Sequence, residues 1–269
     1  MKRWIALFPA LSVFAALAVL AACHKADAPP AAPGAPPASA AARPAEAREI
    51  LMNPIPPRDD PAIFKAMEPF RQGGYQPLGE QCWLDTPKPK SLMLFAKPGQ
   101  EAHAAGAVIG GLFSEYDPGT EKWELRAQSL SITETGSWGA APEPLFLRLG
   151  PDRYGFLIEP GFTNQGYTEA VTVVYGVLGN RFVPVLQVPS HRDNGGTSDN
   201  PAETGAANVS LYQVPDAGKE FYDVLARLAV EGKYAPAPDD EMSKVFGAAR
   251  EARFTFRNGA YERAGGAGK

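Results

Sequence analysis

The sequence holds little of what most enzymes use. Its 269 residues include three His and two Cys. It has no Gly-x-Ser-x-Gly elbow, no His-Glu-x-x-His pattern, no paired-cysteine motif and no Gly-rich phosphate loop. That removes the chemistries those patterns serve: esterase-type acyl transfer, zinc proteolysis, dithiol redox and nucleotide hydrolysis. One cysteine, Cys23, lies at the end of an N-terminal apolar run, and the other is Cys82. Cys82 stands in Gln81-Cys82-Trp83-Leu84 with no basic or His neighbour. It reads as a small buried hydrophobe rather than a reactive thiol. Positive charge is not in excess either: 26 Lys and Arg face 30 Asp and Glu, for a net charge of −4. This argues against nucleic acid as a partner and against electrostatic docking on a membrane. No second long apolar run follows the first, and 27 Gly and 27 Pro mark a turn-rich chain.

What is present begins at the N-terminus. Met1-Lys2-Arg3 is basic, Trp4 to Leu20 is apolar apart from Pro9 and Ser12, and Ala21 and Ala22 are small. These are the three parts of a secretory signal. Leu20-Ala21-Ala22-Cys23 resembles the lipobox of bacterial lipoproteins. The resemblance covers residues 1–23 and implies that 1–22 is a signal peptide, removed on export. It also implies that Cys23 carries a diacylglycerol thioether and an acylated amino terminus, including palmitate-type chains. Several acyl chains anchor a protein stably where one does not. His24 follows where Asp would favour the inner membrane, so the expected place is the outer membrane, with the domain in the periplasm. An uncleaved membrane span and a plain signal peptide cut near Ala22 are the competing readings. Removing Lys2 and Arg3 takes the net charge to −6.

Residues 23–48 read as lipid anchor and tether. Runs such as Ala-Pro-Pro-Ala-Ala-Pro-Gly-Ala-Pro-Pro (28–37) bury too little apolar surface to fold. Their proline makes them semi-rigid, at ~3 Å per residue where extended. Residues 49–269 are expected to form a single β-rich domain. Asp60 and Pro61 cap and open a short helix, with Pro69 as its stop. From about Glu80, short apolar stretches alternate with turn signals such as Asp117-Pro118-Gly119-Thr120, Gly150-Pro151-Asp152, Gly179-Asn180 and Asn258-Gly259. The apolar parity of Trp123 and Leu125 shifts before Leu130 and Ile132, which predicts a bulge there. Val171, Val173, Tyr175 and Val177 alternate with Thr172, Val174 and Gly176, which predicts one dry and one wetter face. Phe221 to Val230 fits a helix or a strand, and its β-branched and aromatic content favours the strand. The expected fold class is mainly β: an antiparallel meander of ten or so strands forming a sandwich, barrel or propeller-like domain, with one or two short helices. The hairpins loosely resemble blades of integrin-like β-propellers, without the blade motif.

Three places could carry chemistry. Asp193, Asn194, Asp199 and Asn200 lie in a Gly-containing polar loop. They are candidate oxygen ligands for Ca²⁺, although their spacing is not that of an EF-hand. The same residues equally serve as turn formers. Phe162, Asn164, Gln165 and Tyr167 combine aromatics with amides in an expected loop. They are candidate ligand-binding residues for carbohydrate or peptide, with Trp138, Tyr154 and Trp123 as candidate neighbours. Ser190, His191 and Asp193 have the residue types of a triad, but neighbours in one loop rarely have its geometry. The reading that follows is an envelope lipoprotein whose domain binds a protein, glycan or ligand as an accessory factor, more a binder than an enzyme. The alternative is a cell-wall or extracellular hydrolase using paired carboxylates.

Overall fold

The computed structural model describes residues 56–102, 105–198, 200, 203–234 and 240–265. Cys23 and the tether, His103 and Asp199 lie outside the described residues. Asp60 caps helix α1 (Pro61–Ala66), its Oδ1 accepting from the backbone N–H of Ala62 at 2.8 Å and of Ile63 at 3.4 Å. Pro61 takes the first helical position, as expected. The helix ends at Ala66, before Pro69, as expected, but Pro69 does not end helical structure altogether. It sits in the first turn of a second short helix, α2 (Glu68–Gln72), where its missing N–H has no partner to lose.

The first four strands are β1 (Gln76–Trp83), β2 (Lys90–Lys97), β3 (Ala107–Asp117) and β4 (Lys122–Thr135). They form an antiparallel sheet in chain order. A second sheet holds β5 (Leu145–Gly150), β6 (Arg153–Ile158), β7 (Gly161–Asn164), β8 (Tyr167–Leu178), β9 (Arg181–Asp193), β10 (Gly205–Val214), β11 (Asp223–Gly232), β12 (Glu251–Arg257) and β13 (Ala260–Arg263). Its order is β13-β12-β11-β10-β9-β8-β6-β5, with β7 paired to the end of β8 on the side that β6 also occupies. Helix α3 (Glu241–Phe246) lies between β11 and β12 in the chain. Neither sheet closes into a barrel, so the architecture is mainly β and sandwich-like. The expected bulge is present: Phe113 pairs with Ala127 and Ser114 with Leu125, which leaves Arg126 over. The ambiguous segment is strand β11.

Three apolar layers follow from strand parity. Leu92, Leu94, Ile109 and Phe113 of the first sheet pack against Tyr154, Phe156, Val173 and Tyr175 of the second. Phe156 is wholly buried and stacks on Tyr175 with ring centroids 5.0 Å apart. On the outer side of the first sheet, Ile63 and Phe70 of the helices cover Met93, Phe95, Leu112 and Trp123. The third layer lies on the far side of the second sheet, where Val174, Leu186 and Val188 meet Val224, Phe254 and the α3 residues Met242 and Phe246.

This last layer corrects the expected wet face of β8. Thr172, Val174 and Gly176 are as buried as Val173, Tyr175 and Val177. The second sheet bends so that β13 returns into contact with β9. The middle strands are therefore covered on both faces.

Candidate functional site

The expected loop at 162–168 is a β-ribbon. Phe162 pairs with Glu169, Thr163 with Thr168 and Asn164 with Tyr167. The Thr163 and Thr168 hydroxyls lie 3.0 Å apart. Gln165 and Gly166 make the turn, both with positive φ (50° and 82°). Cross-strand partners share a face, so Phe162, Asn164, Tyr167 and Glu169 point the same way. Of these, Phe162 lines a cleft together with Val171 and Val173, while Glu169 pairs at 3.3 Å with Arg192, which also holds Asp240, the cap of α3. Phe162 and Tyr167 are 57% and 54% exposed.

A cleft of about 570 Å³ occupies the angle between this ribbon and the end of β4. Val171 and Val173 form its apolar wall, Glu134, Thr135 and Gln187 supply polar groups, and Phe162 stands at its mouth. A second cleft, about 370 Å³, lies beside it and includes Gln76, Leu78, Ala107, Glu101 and Trp138. The two adjoin along the chain: Gly106 and Gly136 line the first, and the nearby Ala107 and Gly139 line the second. Trp138 is 60% exposed and has φ 55°, a conformation that bulky residues seldom adopt. Its loop is held by two backbone bonds: Gly99 N–H donates to Gly139 O (3.1 Å) and Gly139 N–H to Ala105 O (2.8 Å). Outliers of this kind persist where the surroundings fix them, and they cluster at binding sites.

Among the described residues, no Lys or Arg lines either cleft, while each cleft holds one carboxylate, Glu134 or Glu101. A group of cations sits at the other end of β2. There the buried Lys90 ammonium pairs with Glu115, joined by Arg126 at 2.9 Å and Lys88 at 3.5 Å. Burial pushes the Glu115 carboxyl up, but Lys90 and Arg126 outweigh it and hold the group below the usual carboxylate range.

The polar loop after β9 uses its side chains locally. Asp193 Oδ1 accepts from Gly195 N–H, and Asn194 Oδ1 accepts from Gly205 N–H at 2.7 Å. Asn200 donates through Nδ2 to Glu203 at 3.1 Å. Among the described residues, no group of three or more His, Cys, Asp or Glu is placed to share a metal ion. His191 Nδ1 lies 2.7 Å from Asn208 Oδ1, its cross-strand partner, while Ser190 is a buried bulge residue. Ser190, His191 and Asp193 therefore do not converge. Of the aromatics expected near the ribbon, Tyr154 and Trp123 are buried in two separate cores and Trp138 is at the surface. Cys82 is partly buried, and burial raises its thiol pKa.

A third cleft, about 320 Å³, includes two carboxylates, Asp152 and Glu220. Each is engaged: Glu220 with Arg153, and Asp152 with Lys90 at 3.3 Å. Sequence reasoning missed Glu134, Gln187, Glu101 and Gln76. They are isolated polar residues on four different strands or loops, and only the fold brings them to the clefts. No family model, curated protein or solved structure matches this chain.

Proposed function

We propose that the protein is a membrane-tethered envelope lipoprotein whose β-domain is a binding module, with its ligand site at the open end of the sandwich. One observation carries this reading: folding leaves Phe162 and Trp138 exposed at the mouths of two adjoining clefts. Exposed aromatics at the mouth of a concave surface with a few convergent polar groups are the usual make-up of a ligand site. The scarcity of catalytic motifs supports a binder over an enzyme. The Leu20-Ala21-Ala22-Cys23 signal and the Pro/Ala-rich stretch after it support the tether.

A photo-crosslinking amino acid placed at 162 or 138 of the full-length protein in cells tests the site. Discrete adducts are expected from both positions and not from 64 or 212, which are exposed elsewhere. Equal adducts from all four positions, or none, would remove the proposal. The anchor is tested by labelling with a palmitate analogue: the wild type should incorporate it and Cys23→Ser should not.

A further inference from the structure

We propose that the two clefts are neighbouring subsites for one neutral glycan chain. This rests on the binding-site reading above and adds the ligand class. Each cleft repeats one chemical set: an exposed aromatic, a carboxylate and a carboxamide. In the larger these are Phe162, Glu134 and Gln187. In the smaller they are Trp138, Glu101 and Gln76. An aromatic face offers a flat apolar platform to the C–H side of a sugar ring. A carboxylate accepts from sugar hydroxyls, and a carboxamide both donates and accepts. A hydroxyl-rich ligand therefore has a partner for each kind of surface it presents.

Charge selects among glycans. With Glu134 and Glu101 in the clefts and, among the described residues, no Lys or Arg lining either, phosphate, sulfate and uronate groups would meet like charge there. Neutral and N-acetylated sugars carry no such penalty. Where the two linings come together in the chain, Gly106, Ala107, Gly136 and Gly139 carry little or no side chain, so they add little bulk between one platform and the next. A strand-forming peptide is the less suited ligand, because the polar groups here are side chains rather than a free run of backbone.

The test is titration of the full-length protein in detergent with defined probes. These are an N-acetylglucosamine hexamer and dimer, a glucose hexamer, a galacturonate hexamer, and a peptide of residues 28–44 as a Pro-rich competitor. Saturable binding of at least one neutral hexamer is expected, weakened at least ~10-fold by Trp138→Ala and by Phe162→Ala. Trp138→Phe and Phe162→Tyr, which keep a ring, should retain most of the affinity. The dimer should respond to only one of the two Ala changes, because it fills one subsite. Melting temperatures of both Ala variants are measured alongside, so that lost affinity is read from folded protein. Gln187→Ala gives a further weakened variant should either Ala protein fold poorly.

Failure of both neutral hexamers to bind overturns the inference, as does binding that ignores both substitutions. Tighter binding of the galacturonate hexamer or the peptide overturns it too. If crosslinks at 138 and 162 still form in those cases, the cleft remains a binding site and only the glycan assignment falls.

Discussion

The backbone N–H of Gly196 donates to the carbonyl oxygen of Gly166 at 3.1 Å. This bond ties the tip of the aromatic ribbon to the polar loop after β9, two stretches that lie some thirty residues apart. A Cβ at Gly166 would come within 2.3 Å of Gly196 O, and its φ is +82°. Gly166→Ala should therefore cost about 1–3 kcal/mol. Hydrogen exchange should show the loss as faster opening confined to residues 161–170 and 194–197. The first sheet should be unaffected.

Asp60 joins two elements with one carboxylate. Its Oδ1 caps α1, while Oδ2 accepts from the buried Trp123 N–H at 3.1 Å. Asp60→Ala loses both and should destabilise by about 2–3 kcal/mol in denaturant melts. Asp60→Asn keeps one acceptor oxygen and should lie between Ala and the wild type. Equal effects of the two changes would mean that only one of the bonds matters.

Asp223 gives a pH dependence of known sign. It is 2% exposed and pairs with Lys219 at 2.8 Å and Arg253 at 2.7 Å. Burial raises its pKa, but the two cations outweigh burial and hold it below the usual value. A depressed folded-state pKa stabilises above the unfolded value of about 3.9 and is lost as pH falls through the folded value. Asp223→Asn should cost about 1–3 kcal/mol near pH 7, the lower part of the range reflecting the solvent exposure of both cations. The gap between variant and wild type should shrink below about pH 4. A gap that is constant down to pH 2 would contradict the ion-pair account.

Calcium provides another check. Asp193 Oδ1 and Asn194 Oδ1 already accept backbone N–H groups. Melting temperatures in calcium and in chelator should agree within about 1 °C. A calcium-dependent rise of several degrees would show that the loop gives up these bonds to bind the ion.

Local chemistry was legible in the sequence where it acts locally. Asn258-Gly259 turns the closing hairpin with φ 51° and 88°, and Asp60-Pro61 opens α1. Effects that depend on distant chain were not legible. Thr172 reads as a solvent-facing residue, yet β10–β13 and α3 fold over the layer in which it lies. The 162–168 stretch reads as a loop because Gln165 is not a residue that announces a left-handed turn. The aromatic candidates Phe162 and Tyr167 could be picked from composition alone. Their partners Glu134 and Gln187 could not, since nothing in either one's neighbourhood distinguishes it from any solvated side chain.

The order of the strands has a consequence for assembly. Among the described residues, almost every pairing joins strands adjacent in the chain, and the sole exception skips only the four-residue β7. No strand has to insert between two already in place. The doubly covered β8 and β9 come between their neighbours in time as well as in space, with the first sheet laid down before them and β10–β13 after. Short closures of this kind lose little chain entropy at each step. A chain delivered end first can therefore build its layers in the order in which it arrives.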